Sequence, residues 1–205
     1  MSLVQDLDDG EPGFEPVALR HNTSLADRRA EAAVAELLGA LGRDLDDPNL
    51  ADTPRRVAAT YRELLHREPL TMTTFPNDSG YDDLVLVRDI PFTSLCAHHL
   101  LPFRGVAHVG YVPGRRLLGL SKLARVVEHF ARDLQLQERL TVQIVEYLEG
   151  ELAPAGVGVV LEAEHLCMSI RGVGAVGAHT RTSRFTGALA PHGNDRFSAS
   201  RQRGD

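Results

Sequence analysis

The sequence has no tryptophan, only 2 cysteines and no long apolar run. No stretch approaches the roughly 20 consecutive apolar residues that a membrane-spanning helix needs, so we expect no contact with a membrane. The N-terminal stretch MSLVQDLDDGEPG lacks the basic and apolar regions of a signal peptide. We therefore expect a reducing, cytoplasmic environment in which Cys96 and Cys167 stay free thiols.

Positive charge is also scarce, because 22 Lys and Arg face 28 Asp and Glu and leave a net charge of -6. This balance is not typical of a nucleic-acid-binding surface, so we expect no nucleic acid partner. It does not exclude an anionic small molecule, because a local cluster of Lys and Arg can dominate inside a pocket. The length of 205 residues suffices for one well-packed domain with tails.

The hydrophobic pattern predicts two helices, then pairs of strands separated by a pair of helices. A first helix should end near Gly42, and a second should have Thr53 as its N-cap and Pro54 at its first position. The strands are predicted in DLVLVRDIPF, GVAHVGYVPG, GVGVVLEAEHLCMSIRG and AHTRTSRFTGAL, and the helix pair in LSKLARVVEHFARDL and QERLTVQIVEYLEGEL. This order predicts an α+β fold, an antiparallel sheet with helices on one face.

The same pattern predicts the limits of the domain. Residues 1–23 should form a mobile acidic tail, and residues 191–205 a disordered C-terminal tail. Between them, residues 24–190 should form a single domain. Its N-terminal helices should occupy residues 24–68 and its core residues 84–190.

Each cysteine has a histidine within three residues, in SLCAHHLLPF and in EHLC. Zinc favours thiolate and imidazole ligands, and a Cys-x-x-His turn such as Cys96 to His99 brings both to one point. In a strand, His165, Cys167 and Ser169 would share one face. The sequence therefore predicts a metal site, although free cysteines are more often inert packing residues.

The number of ligands would separate a catalytic zinc site from a structural one. Catalytic sites use three protein ligands and structural sites four. Cys96, His99 and Cys167 make three, which leaves His98 and His165 as acid–base groups. Alternatively, one of these two histidines closes the site as a fourth ligand. Spacing alone does not decide between the two arrangements.

Several cationic residues are candidate ligands for an anion. Ser121 is a plausible N-cap, and a helix that starts there offers free N–H groups and the positive end of its dipole beside Lys122 and Arg125. Arg171 follows the His-x-Cys segment closely, so it should lie near the metal. The alternative for each of these residues is a solvated surface position.

A second helix start carries Gln137 and Glu138. A carboxylate at this position can simply complement the helix dipole. It can also accept paired hydrogen bonds from an amino-and-imino edge such as that of guanine. Taken alone, these two residues favour the first interpretation.

Together, these segments resemble the GTP cyclohydrolase I family. The resemblance runs through TPRRVA, SLCAHHLLPFRGVAHVGYVP, GLSKLARVVEHFARDLQLQERLT and GVGVVLEAEHLCMSIRGV, and ends around TRTSRFTG. It implies the tunnelling fold, a small antiparallel sheet with a helix pair on one face. It also implies a homo-oligomer in which sheets join into barrels, typically a decamer of two pentamers with active sites at subunit interfaces.

The resemblance also implies a role for each candidate residue. Zinc would be held by Cys96, His99 and Cys167, and protons would be transferred by His98 and His165. Glu138, with Gln137, would anchor the guanine edge. The triphosphate or ribose would contact Ser121, Lys122, Arg125 and Arg171.

The implied reaction converts GTP and water to 7,8-dihydroneopterin triphosphate and formate, the first step of pterin and tetrahydrofolate biosynthesis. Zinc-bound water would attack purine C8. The sequence departs from the family pattern at Ala97, where the family usually has glutamate. Three alternatives remain open: the same reaction in a specialised pathway, a non-catalytic paralogue that binds zinc and a purine nucleotide, and a structural zinc domain.

Overall fold

The computed structural model describes residues 24–198 of the chain. The tail predicted at residues 1–23 lies outside these residues, as does the end of the chain from residue 199. The chain divides into two compact units, one up to Ala59 and one from Thr60 onward. Within residues 24–198, no helix combines the length and the apolar character needed to cross a membrane.

The first unit contains helix α1 (Leu25–Ala40) and the start of helix α2 (Thr53–Leu65). A reciprocal capping box begins α1, because Ser24 Oγ accepts from Asp27 N–H and the Asp27 carboxylate accepts from Ser24 N–H. The predicted stop is confirmed, since Gly42 has a φ of 71° just beyond the helix. The helix α2 begins one residue earlier than predicted, at Thr53.

The second unit is built on a five-stranded sheet. Its strands and the two strands of a small separate sheet are β1 (Thr74–Pro76), β2 (Val85–Cys96), β3 (Pro102–Val112), β4 (Arg116–Leu118), β5 (Leu134–Gln135), β6 (Gly156–His165) and β7 (His179–Phe185). The large sheet has the order β5-β2-β3-β6-β7, and β1 pairs with β4. The strands β2, β3, β6 and β7 pair antiparallel, as predicted.

A pair of helices packs on one face of this sheet. The helices are α3 (Leu120–Ala131) and α4 (Gln137–Leu152), and both contribute to the main core together with β2, β3 and β6. Core side chains such as Phe103, Leu123 and Ile144 have no exposed surface. The predicted α+β class, a sheet with a helix pair on one face, is therefore confirmed.

Three details differ from the predictions. The short β5 pairs parallel to β2, so the sheet is not wholly antiparallel. The strand predicted in GVGVVLEAEHLCMSIRG is shorter than expected, because β6 ends at His165 and the chain continues as a one-turn helix, α5 (Leu166–Ser169). The C-terminal tail is not disordered throughout, since helix α6 (Gly193–Ser198) follows a 3-10 turn at Gly187–Leu189.

The helix α6 is held by an apolar contact on the sheet face opposite the helix pair. Phe197 packs in a second, smaller core with Val112, Val160 and Leu189. Its ring also meets Phe185 edge to face, with the ring centres 5.1 Å apart. The stretch is mostly polar, so the sequence did not indicate that Phe197 anchors it.

Candidate metal centre and active site

Three predicted metal ligands meet at one end of the sheet. The ligand atoms of Cys96, His99 and Cys167 all lie within 4.8 Å of one another. Cys96 Sγ lies 3.9 Å from Cys167 Sγ and 3.8 Å from His99 Nδ1. Cys96 is buried, Cys167 is half-buried and His99 is exposed, so the group lies at the protein surface with its thiols on the inner side.

The turn that carries the first two ligands is built by short-range hydrogen bonds. Cys96 O accepts from the N–H groups of His99 and Leu100, and Cys96 N–H donates to Leu101 O. Leu100 has a φ of 58°, a left-handed conformation that costs a non-glycine residue free energy. Tyr61 OH donates to Leu100 O at 3.1 Å and so holds the turn from α2.

The position of Ala97 bears directly on this turn. Ala97 is exposed, and its backbone N–H donates to Gln135 O at 3.0 Å. This bond ties the turn to β5 and involves no side chain at position 97. The turn therefore forms without any contact from the side chain of residue 97.

Cys167 reaches the group by a different route from the one predicted. The side-chain alternation of a strand does not extend past His165, and Cys167 belongs to the first turn of α5. The prediction that His165, Cys167 and Ser169 share one face of a strand is therefore wrong. Burial raises the pKa of the Cys167 thiol, as does the adjacent Cys96, while Arg171 lowers it.

The donor set fits zinc. Two thiols and one imidazole are soft and borderline donors, the combination that zinc favours over the oxygen ligands of magnesium or calcium. Three protein ligands match the count found in catalytic zinc sites. Cys96, His99 and Cys167 are thus the side chains that would hold the ion.

His98 stands beside this group and is not part of it. The ring is exposed and meets the ring of His99 edge to face, with the centres 6.1 Å apart. His98 Nδ1 lies 3.9 Å from Cys96 Sγ. The side chain therefore has access both to solvent and to the metal group.

His165 is held more firmly than His98. Its ring stacks on Phe103, with the centres 4.5 Å apart and an angle of 2° between the planes. His165 Nε2 lies 2.8 Å from Gln137 Oε1. Burial lowers the pKa of His165, although the negative charge of Glu138 opposes this shift. The neutral imidazole is therefore the favoured form at neutral pH.

The two residues at the start of α4 have different environments. Glu138 is exposed in the first turn of the helix, where it remains available to a ligand. Gln137 is only 1% exposed and donates through Nε2 to Leu161 O and Thr180 O. The family resemblance implies that Gln137 and Glu138 both contact the guanine edge. In the structure, the Gln137 amide points into the protein interior.

The predicted ligands for an anion divide into two groups. Arg171 lies at the metal group, where Nη1 is 3.5 Å from His99 Nε2. The other three candidates lie in the first turns of α3, and Ser121 is not the N-cap, because that position belongs to Gly119. Ser121 is exposed, and Lys122 N–H donates to Gly119 O.

Arg125 lies on the wall of an open cavity of about 890 Å³. The wall also carries Arg104, Arg132, Glu164 and His179. None of the three metal-group residues lines this cavity in the described part of the chain. The cavity beside Arg125 and the metal group thus share no residue.

Two supporting residues were missed in the sequence. Tyr61 was assigned only to the apolar face of α2, and its hydroxyl contact with the turn has no local signal. Phe103 lies directly opposite His165 in the register of β3 and β6. Correct pairing of those two strands would have revealed the stacking of the two rings, but the sequence does not specify which strands pair.

Comparison with known proteins agrees with this geometry. The family described as GTP cyclohydrolase I matches residues 30–202. GTP cyclohydrolase 1 from Streptomyces griseus is 51% identical over 183 residues, 85% of this chain and 91% of that protein. GTP cyclohydrolase 1 from Mycobacteroides abscessus is 55% identical over 164 residues, 78% of this chain and 80% of that protein.

A longer alignment covers GTP cyclohydrolase 1 from Mycolicibacterium paratuberculosis, which is 49% identical over 193 residues, 91% of this chain and 95% of that protein. Among solved structures, the apo form of the archaeosine synthase QueF-Like is 19% identical, with a TM-score of 0.41 over 51% of this chain and 93% of that chain. That last similarity is too low to bear on function.

The geometry defines an α+β protein with a thiol–imidazole group that could hold a metal ion at one end of its sheet. With the extent of the family match, the conclusion becomes specific: the chain belongs to the GTP cyclohydrolase I family, a family of hydrolases. The predicted family and its tunnelling fold are confirmed. The protein is thus an enzyme of the hydrolase class.

Proposed function

We propose that this protein hydrolyses GTP to 7,8-dihydroneopterin triphosphate and formate, the first step of pterin and tetrahydrofolate biosynthesis. One observation carries the proposal: two histidines accompany the group of Cys96, His99 and Cys167 without being part of it. His98 Nδ1 lies 3.9 Å from Cys96 Sγ, and His165 ends the strand two residues before Cys167. A structural zinc site has no need of such neighbours. Membership of the family supplies the substrate, because its named relatives act as GTP cyclohydrolases.

Each part of the metal region has a role in this proposal. When bound by Cys96, His99 and Cys167, zinc supplies Lewis-acid activation of water for attack at purine C8. His165 is neutral near pH 7, because burial lowers its pKa, and so it begins as a proton acceptor. His98 is exposed and exchanges protons between the reactants and solvent.

The remaining candidates would position the substrate. Glu138 is exposed near His165 and would accept hydrogen bonds from the guanine edge. Arg171, beside His99, would contact the triphosphate or ribose. The cations of α3, together with Ser121, would do the same from a neighbouring copy of the chain. The triphosphate is not cleaved, so these contacts contribute binding and orientation.

A homo-oligomer is part of the proposal, with a decamer of two pentamers as the expected form. The strand β7 (His179–Phe185) lies at an edge of the sheet, where its backbone can pair with another copy. The separation of the α3 cavity from the metal group supports a site completed between subunits. Size measurement by light scattering on the purified protein tests this arrangement.

The direct test is to incubate zinc-replete protein with GTP and to measure formate together with the fluorescence of the oxidised pterin. We expect equal amounts of the two products. The alternative of a non-catalytic paralogue has one feature in its favour, Ala97, and predicts nucleotide binding without either product. Absence of both products from the zinc-loaded protein would reject the proposed function.

Variants of the two histidines separate catalysis from metal structure. His98→Asn and His165→Asn should each lower kcat by roughly 10²- to 10⁴-fold, the range of general acid–base catalysis. Both variants should keep one zinc per chain, measured by metal analysis of the same samples. Loss of zinc from either one would identify it as a fourth ligand and would favour a structural zinc domain.

A further inference from the structure

The Gln137 side chain connects His165 to the protein interior. Gln137 Oε1 faces His165 Nε2 at 2.8 Å. On its other side, Gln137 Nε2 lies 3.1 Å from Leu161 O, 3.0 Å from Thr180 O and 3.2 Å from Thr182 Oγ1. The amide is thus surrounded by partners from β6 and β7 and has 1% exposure.

The acceptors around Gln137 determine which way its amide points. Backbone carbonyl oxygens only accept hydrogen bonds, so Leu161 O and Thr180 O both require the NH₂ group on their side. The reverse orientation would place Gln137 Oε1 against two carbonyl oxygens in a buried site, where the oxygens repel one another and neither carbonyl receives a bond from Gln137. The amide oxygen therefore faces His165.

The same argument extends to the hydroxyl groups beneath Gln137. Thr141 Oγ1 lies 2.8 Å from Gln137 O and must donate to it, because a carbonyl cannot donate. Thr182 Oγ1, 2.7 Å from Thr141 Oγ1, must then donate to Thr141. This leaves the lone pairs of Thr182 Oγ1 for Gln137 Nε2–H. Each hydroxyl hydrogen in the network therefore has one direction, while the two hydrogens of Gln137 Nε2 are shared among three acceptors.

The network determines where His165 carries its proton. An amide oxygen has no hydrogen to give, so His165 Nε2 must be the donor to Gln137. In the neutral imidazole, the other nitrogen, Nδ1, then carries a lone pair. Stacking on Phe103 holds the plane of the ring, so both rotation and tautomer are restricted.

We propose that Gln137 is a positioning residue that fixes the ring orientation and the tautomer of His165, with the proton on Nε2 and the lone pair on Nδ1, for the reaction at the metal group. The proposal rests on the proposed function and gives Gln137 a role other than contact with guanine. The hydroxyl groups of Thr141 on α4 and Thr182 on β7 are part of this role, because they maintain the orientation of the Gln137 amide.

The test compares Gln137→Met with a matched variant, Gln143→Met. Methionine has a similar volume and cannot accept the bond from His165. Gln143 is on the same helix and loses a side-chain bond of 2.8 Å to Gln135, with no link to His165. We expect kcat to fall roughly 10- to 100-fold for Gln137→Met, as for other residues that orient a functional histidine, and to stay within about twofold for Gln143→Met.

The Michaelis constant separates the two roles of Gln137. A positioning residue leaves KM for GTP within about twofold of the wild-type value, because the lost interaction acts on the reacting group. A rise in KM with unchanged kcat would assign Gln137 to the guanine site and would overturn the proposal.

A double-mutant cycle excludes a purely structural effect. In the His165→Asn background, measured with enzyme in excess over GTP, Gln137→Met should change the rate by less than about twofold, because residues that act as a unit are not additive. A loss equal to that in the wild-type background would show that Gln137 does not act through His165.

Gln137→Glu provides a second variant if Gln137→Met does not fold. The carboxyl group is isosteric with the amide. Its burial against Leu161 O and Thr180 O favours the protonated form, which keeps an O–H donor on their side and an oxygen that faces His165. We expect its kcat to remain within about tenfold of the wild type. A larger loss would overturn the proposal. A wild-type protein that does not convert GTP would instead reject the proposed function, so the two failures are distinguishable.

Discussion

The metal turn and the environment of His165 lie side by side but are built in opposite ways. Residues 96–101 form the turn through backbone bonds between near neighbours, and His98 and His99 are exposed. His165 is instead held by side chains from β3 and α4, and the Gln137 amide is in turn held by β6 and β7. The turn therefore presents its two histidines to solvent, whereas His165 is held in place by side chains from other elements.

Loss of a metal ligand should have the largest effect on this arrangement. Cys167→Ala removes one of three donors, so we expect zinc affinity to fall by more than about 100-fold, beyond the loss typical of an outer-shell partner. Activity should disappear with the metal. Competition with a chromophoric chelator measures the affinity.

The matched control for this prediction is Met168→Ala. Met168 is the next residue of α5, is 39% exposed and is not part of the metal group. This variant should bind zinc as the wild type does. Equal zinc affinity for Cys167→Ala and Met168→Ala would show that Cys167 is not a ligand.

A smaller effect is expected when the turn loses its contact with α2. Tyr61→Phe removes the hydroxyl that donates to Leu100 O. One such bond contributes about 0.5–1.5 kcal/mol, which corresponds to a roughly 2- to 10-fold weaker zinc affinity if the turn becomes mobile. The kcat of the zinc-saturated variant should change by less than about twofold.

Tyr81→Phe is the control, because Tyr81 is 47% exposed and binds the Asn77 side chain through its backbone N–H and C=O, which the substitution leaves in place. It should not alter zinc affinity. If both tyrosine variants behave alike, the hydroxyl of Tyr61 has no part in holding the turn.

The smallest expected effect is a pH dependence of stability that arises from His165. Burial lowers its pKa in the folded protein below the ordinary value of 6.5. As the pH falls from about 6.5 toward this lowered pKa, the unfolded chain binds the proton first. Stability of the zinc-free protein should therefore decrease across this window and level off below the folded-state pKa.

Urea denaturation of zinc-free wild type and His165→Asn between about pH 5 and 8 measures this contribution. Both proteins share the other histidines, so the difference between their two pH profiles isolates His165. The wild type should show the steeper loss of stability below pH 6.5. Parallel profiles would show that folding does not lower the pKa of His165.

Local patterns explain which parts of the fold could be predicted. The periodicity of α3 and α4 and the alternation in β3 depend on near neighbours, and all three were located from the sequence. The two residues of β5 and the short α6 carry little pattern, so they were missed. Ser121 was assigned as an N-cap because its side chain suits that position, but the backbone enters the helix at Gly119.

The sequence by itself determined the family and the residue types of the metal group, because Cys96 and His99 are brought together by a turn of only a few residues. Tertiary structure alone decided the path of Cys167 through α5 and the inward orientation of Gln137. The physical reason is that the partners of Gln137 lie on β6 and β7. These strands are distant from Gln137 in sequence and meet it only when they pair and pack against α4.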